Sequence, residues 1–167
     1  MRVVTGLIVA VFLFVSFVTF AADEKANFSG QWILNTEKSQ LGEGGRWAAK
    51  SLKVTQEENN LSVERTATGR NGEDITFTQS VTLDGKESLS AMPNRPQRKS
   101  TANWSEGGKI LTISSITVFE QDGNKTEMSD VETWALSGDG NSLSINNLSQ
   151  SPRGEREATY VYDKNNN

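Results

Sequence analysis

The stretch NFSGQWILNTEKS, residues 27–39, decides how the rest of the chain is read, because it sets Gly30 and Trp32 two apart on an apolar segment. Alternate residues of a strand share a face, so the missing side chain at Gly30 leaves room for another backbone or ring beside the Trp32 indole. That geometry suits the first strand of a small barrel whose end is filled by tryptophan. A core aromatic on an unremarkable strand is the alternative, and the flanking sequence decides between them.

Upstream, Met1 and Arg2 lead into an apolar run from Val3 to Phe20, broken only by Thr5, Gly6, Ser16 and Thr19. A basic start, an apolar run and small residues at Thr19 and Ala21 form a signal-peptide pattern, which puts the leader at residues 1–21 with a cut after Ala21, or after Ala22 as the alternative. The run is also about long enough to span a bilayer, so an uncleaved anchor is the competing reading and the one route to a membrane. With the leader cleaved, export to the periplasm or the medium is the expectation.

Residues 22–167 then make one domain with enough chain for a sizeable core. The net charge of the whole chain is −4; the leader holds one of the 17 basic residues and none of the 21 acidic ones, which leaves −5 without it. Nucleic acid is therefore not an expected partner, since a duplex binder needs a basic face and the one local cluster is Arg95, Arg98 and Lys99. The sequence has no cysteine and no histidine. Disulfides, thiol chemistry, histidine-based triads and the usual zinc sites drop out together, and no catalytic residue, cofactor or metal is expected. For an enzyme, the remaining option is a carboxylate pair such as Asp130 and Glu132, which share a strand face so that one could raise the pKa of the other.

Downstream of Trp32 the chain alternates short β-rich segments with turn residues. Nine candidate strands follow: 30–36, 52–57, 61–68, 75–83, 100–105, 110–119, 126–136, 143–148 and 158–162. Between them stand Asn59-Asn60, Asn71-Gly72, Asp84-Gly85, Gly107-Gly108, Asp122-Gly123, Gly138-Asp139-Gly140 and Pro152-Arg153-Gly154, the residues that tolerate tight hairpins. In DITFTQSVTL, Ile75, Phe77, Val81 and Leu83 fall on one face and threonines and serine on the other. The segments WSEGGKILTI (104–113) and WALSGDGNSLSI (134–145) echo each other as tryptophan-led hairpins. The fold class expected is all-β: an antiparallel up-and-down meander of about 8–10 strands closed as a barrel.

FSGQWILNTEKS, WALSGDGNSLSI and the closing YVYDK together resemble lipocalin-like, calycin-type barrels, and small exported bacterial proteins of that kind. The resemblance implies that Gly30 and Trp32 form the barrel end, and that a basic residue of the last strand, Arg156 or Lys164, lies against Trp32. A mid-chain Thr-Asp-Tyr motif of lipocalins is missing. It also implies an exported binding protein holding a small, mostly apolar ligand in the barrel. The alternative is a barrel that binds another protein, such as an inhibitor or envelope-assembly factor, through its loops.

Polar residues on apolar strand faces are the candidates for ligand contact, because an inward charge is costly unless something pairs with it. Arg65 is in phase with Leu61 and Val63, Gln79 lies between Phe77 and Val81, and Glu132 precedes Trp134 and Leu136. These three are expected to face the cavity, with an Arg65–Glu132 pair as the plainer reading. Two loops are candidate lids: SQLGEGGRWAAK (39–50), anchored by Trp47, and SAMPNRPQRKS (90–100). A solvated connection is the plain reading of the second.

Overall fold

The computed structural model describes residues 24–42, 45, 48–91 and 96–166; the expected leader, Trp47 and Arg95 lie outside them. Ten strands run in chain order: β1 Gly30–Leu34, β2 Ser51–Glu57, β3 Asn60–Thr68, β4 Asp74–Thr82, β5 Ser88–Ser90, β6 Arg98–Trp104, β7 Ile110–Gln121, β8 Asn124–Leu136, β9 Ser142–Ser151 and β10 Gly154–Asn165. Every pairing is antiparallel and joins chain neighbours, except that β10 closes onto β1. The sheet order β4-β3-β2-β1-β10-β9-β8-β7-β6-β5 leaves a single seam, between β4 and β5, without a backbone ladder. The result is a nearly closed up-and-down barrel.

Local chemistry accounts for the hairpins. At the β7–β8 turn Asp122 and Gly123 have φ of 52° and 77°, the two positive values that a type I′ turn requires and that Asp-Gly supplies. Along β7 the burial alternates residue by residue, with Leu111, Ile113, Ser115 and Thr117 inside. Residue pairs two apart therefore keep one face through the whole barrel.

One end of the barrel is packed solid. Phe28, Trp32, Leu111, Trp134, Leu143 and Tyr162 are all fully buried there. Phe28 stacks on Trp104 with ring centroids 5.9 Å apart and meets Trp134 edge-on at 5.6 Å, which explains why the two echoing hairpins each begin with tryptophan. The segment before β1 is the plug. Gln56 accepts a hydrogen bond from the Phe28 amide (3.0 Å) and donates to the Ala26 carbonyl (2.9 Å), and the Ala26 amide donates to the Gly108 carbonyl. Trp32 Nε1 donates to the Phe28 carbonyl at 3.0 Å. Gly30 has φ +147°, a region that favours glycine, and a Cβ there would stand 3.4 Å from Lys164 Cε and 3.5 Å from Trp32 Nε1. Of the two basic residues considered for the last strand, it is Lys164 that lies over the Trp32 ring, 5.6 Å from its centroid.

Two strand expectations need correction. The three-residue β5 is absent from the nine candidates, and the segment 90–100 is not one loop: Ser90 ends β5, while Arg98 and Lys99 open β6. Arg98 then points inward and Lys99 outward to Glu87 (3.3 Å). Strands β9 and β10 also run longer than expected, to Ser151 and from Gly154. Their extra residues carry few apolar side chains because both faces are wet at the open end.

Candidate functional site

Register turns the inward residues of β6 to β10 into rows around the barrel wall. One row above Leu143 and Tyr162 of the plug, Trp104, Leu111, Trp134, Ile145 and Tyr160 pair in sequence across the five strands. The next row is mixed: Ala102, Ile113, Glu132, Asn147 and Ala158. The third is entirely polar: Ser100, Ser115, Asp130, Ser149 and Arg156. Polarity thus rises over these three rows, and beyond them toward the β7–β8 turn Met128 and Phe119 bring apolar side chains back to the wall.

At the second row the lumen is bridged. Arg65 on β3 donates through Nη2 to Glu132 Oε2 on β8 at 2.7 Å, although four strands separate β3 from β8 around the closed side of the sheet. Trp134 Nε1 donates to the same carboxylate oxygen at 3.0 Å, and the guanidinium lies 5.7 Å from the centroid of the Trp134 ring. Both ionic side chains are 11% exposed. Burial pushes Glu132 up, but the charges of Arg65 and Arg98 and the bonds from Trp134 and Arg65 outweigh it and hold the carboxyl below its usual range. Burial likewise lowers Arg65, and the Glu132 charge more than restores it. A pair so placed divides the apolar plug from the space above.

Asp130 of the third row accepts from Arg98, one row nearer the open end, with Nη2 to Oδ2 at 3.2 Å. Arg65 Nε and Arg98 Nε are buried without a hydrogen-bond partner. Ser100 and Ser115 share a hydrogen bond of 2.9 Å, and Gln79 Nε2 donates to Ser100 Oγ at 3.3 Å. That last contact crosses the seam, which is further stitched by Thr82 N donating to Ser88 Oγ (2.9 Å) and Ser90 Oγ donating to the Ser80 carbonyl (3.1 Å). Side chains here do what a ladder does elsewhere.

Above the brace opens a cavity of about 1330 Å³. Phe77, Phe119, Met128, Ala67 and Tyr160 give it an apolar and aromatic lining, and Arg65, Gln79 and Glu132 all stand on its wall. The structure therefore brings these three together, with Arg65 and Glu132 paired and the Gln79 amide engaged across the seam. Trp47 lies outside the described residues, but Ala48 and Ala49, the end of the same connection, line the cavity. Arg98, Asn147, Ser149 and Arg156 also line it and were not among the sequence candidates. Their positions follow from register, which only the paired strands reveal.

Asp130 faces Arg98 and Glu132 faces Arg65, and Glu132 is held ionised, so it is not set up as a neutral acid. Burial pushes the phenols of Tyr160 and Tyr162 up and keeps them neutral hydrogen-bonding groups. Among the described residues no cluster of three or more ligating side chains is placed to hold a metal ion.

No known protein family and no curated protein matches the chain by sequence. Among solved structures it is similar to zebrafish ileal bile acid-binding protein, crystallised with cholic acid: TM-score 0.52, 16% sequence identity, over 83% of this chain and 98% of that one. At that identity the likeness bears on the fold alone. The protein is a calycin-type barrel of ten strands, plugged at one end and hollow at the other.

Proposed function

We propose that the protein is an exported, lipocalin-like binding protein that holds a small, mostly apolar ligand in the hollow half of its barrel. The observation that carries the reading is the cavity itself, about 1330 Å³ with an aromatic and aliphatic lining and a few converging polar groups. Sites for small molecules have this character, and a space of this size otherwise leaves apolar surface unpacked. The structural neighbour of similar fold is a bile acid-binding protein crystallised in complex with cholic acid, which supports the same use of the fold here. Support for export comes from the leader pattern of residues 1–21.

Native mass spectrometry of the protein purified without detergent from the cells that make it tests the reading. A stoichiometric small-molecule adduct, identified after solvent extraction, is the expected result. A clean mass without adduct turns attention to protein partners. The outward side chains of Leu89, Ile116 and Leu148, 57%, 41% and 41% exposed on β5, β7 and β9, would then be the first surface to change.

A further inference from the structure

We propose that the ligand carries an oxyanion group, and that Arg70, Arg153 and Arg156 hold it at the mouth of the cavity. The inference rests on the carrier reading above and adds the chemical class of what is carried. It starts from an imbalance of charge. Five arginines line the cavity, and the two deep ones are already neutralised, Arg65 by Glu132 and Arg98 by Asp130. The remaining three sit on two neighbouring parts of the rim: Arg70 in the β3–β4 turn, Arg153 in the β9–β10 turn and Arg156 at the start of β10. None of the three forms an ion pair with any described residue. Arg156 is also half-buried, on the polar row beside Ser149. The third carboxylate of the lining, Glu157, is exposed and one residue out of phase with that row.

A second observation concerns a side pocket of about 670 Å³, between the β1–β2 connection and the same two turns. Arg70 and Arg153 line both spaces. Leu34, Leu41 and Ala48 give the pocket an apolar base, and among its described lining residues the charged ones are Lys50, Arg70 and Arg153, all cationic. Lys50 is satisfied by Asp74 at 2.6 Å. Arg70 and Arg153 are left as the free charges at the junction of pocket and cavity.

The chain as a whole carries a net charge of −4, so three arginines without an ion-pair partner among the described residues, gathered along this cavity, run against its composition. Three guanidinium groups lining one space attract an anion at close range, and the guanidinium fork matches the oxygens of a carboxylate or phosphate. Phe77, Phe119 and Met128 offer the same ligand an apolar wall. An amphiphile with its oxyanion at the arginines and its apolar part along that wall satisfies both sets of groups. Carboxylate and phosphate heads share this chemistry.

The test is titration calorimetry of the protein with three probes of one chain length, dodecanoate, dodecyl phosphate and 1-dodecanol, each below its aggregation concentration. At least one anion should bind roughly tenfold more tightly than the alcohol, the size of one charge-assisted contact, and should weaken as salt rises. The better anion identifies the head group. The double variant R70A/R153A, changed in two exposed turns, should lose that preference and keep its binding of 1-dodecanol. R153E alone should weaken the anions further than R153A. Equal binding of all three probes, or a preference that survives in R70A/R153A, would overturn the oxyanion site while leaving the carrier reading in place. If none of the probes binds, both fall together.

Discussion

Glu132 is the residue on which most of the interior depends. It accepts from Arg65 and from Trp134 and sits within the influence of Arg98, so its removal leaves a guanidinium buried without a counter-charge. Glu132→Gln keeps an acceptor for the indole but breaks the ion pair, and we expect a loss of about 3–5 kcal/mol in urea unfolding at neutral pH. The same residue sets a pH dependence. Its folded pKa is depressed, so its contribution is complete above the unfolded value of roughly 4.3 and is lost as pH falls through the lower folded one. Unfolding midpoints measured from pH 6 down to pH 2 should therefore fall more steeply in the native protein than in Glu132→Gln. Gly30 makes a different demand, on backbone alone. Gly30→Ala would meet Lys164 and Trp32 only at van der Waals contact, but at φ +147° it should cost on the order of 1–3 kcal/mol, read as a lower thermal midpoint.

Among the elements, β4 is the weakest held. It pairs with β3 along its full length but meets β5 through side chains of Ser88 and Ser90, and β6 through Gln79. In β4 the even-numbered residues face the seam, as Thr82 N and the Ser80 carbonyl show. Amide hydrogen exchange should be fastest, within the strands, at Thr76, Thr78 and Ser80, and slowest in β7 to β9 where both edges are laddered. Equal protection across β4 and β8 would contradict this account.

How far the elements could be read from sequence varies with how much each strand buries. Strands such as 75–83 and 110–119 alternate clearly because one face is core or cavity wall, and Asp122-Gly123 marks its hairpin by conformational need alone. Strand β5 escaped because three residues are too few to show a period, and the extension of β9 because Ser149 to Ser151 are polar on both faces. The phase of Arg65, Gln79 and Glu132 was legible for the same reason as the core. Arg98 was not, since its meaning depends on whether residue 98 lies in a loop or a strand. Arg156 and Ser149 join the site only through the register of β9 on β10, a long-range fact that no local pattern contains.

On the scale of the whole molecule, stability and binding are assigned to different ends. Phe28→Ala empties the centre of the plug between Trp104 and Trp134 and should cost about 3–5 kcal/mol, with a change in tryptophan fluorescence. Arg153→Ala, in an exposed turn at the other end, should leave unliganded stability within roughly 0.5 kcal/mol. Chemical unfolding of the two variants side by side checks the division. If Arg153→Ala proved as damaging as Phe28→Ala, the mouth would be part of the folding core and not a free rim.

The Arg65–Glu132 bridge sits at the boundary between those ends. Because it spans the lumen, it works as a bulkhead, with the plug on one side and the hold on the other. Substitutions above it can change size, charge and hydroxyl content of the hold without disturbing the packing that makes the chain fold. Such a barrel can acquire a new cargo while remaining the same vessel.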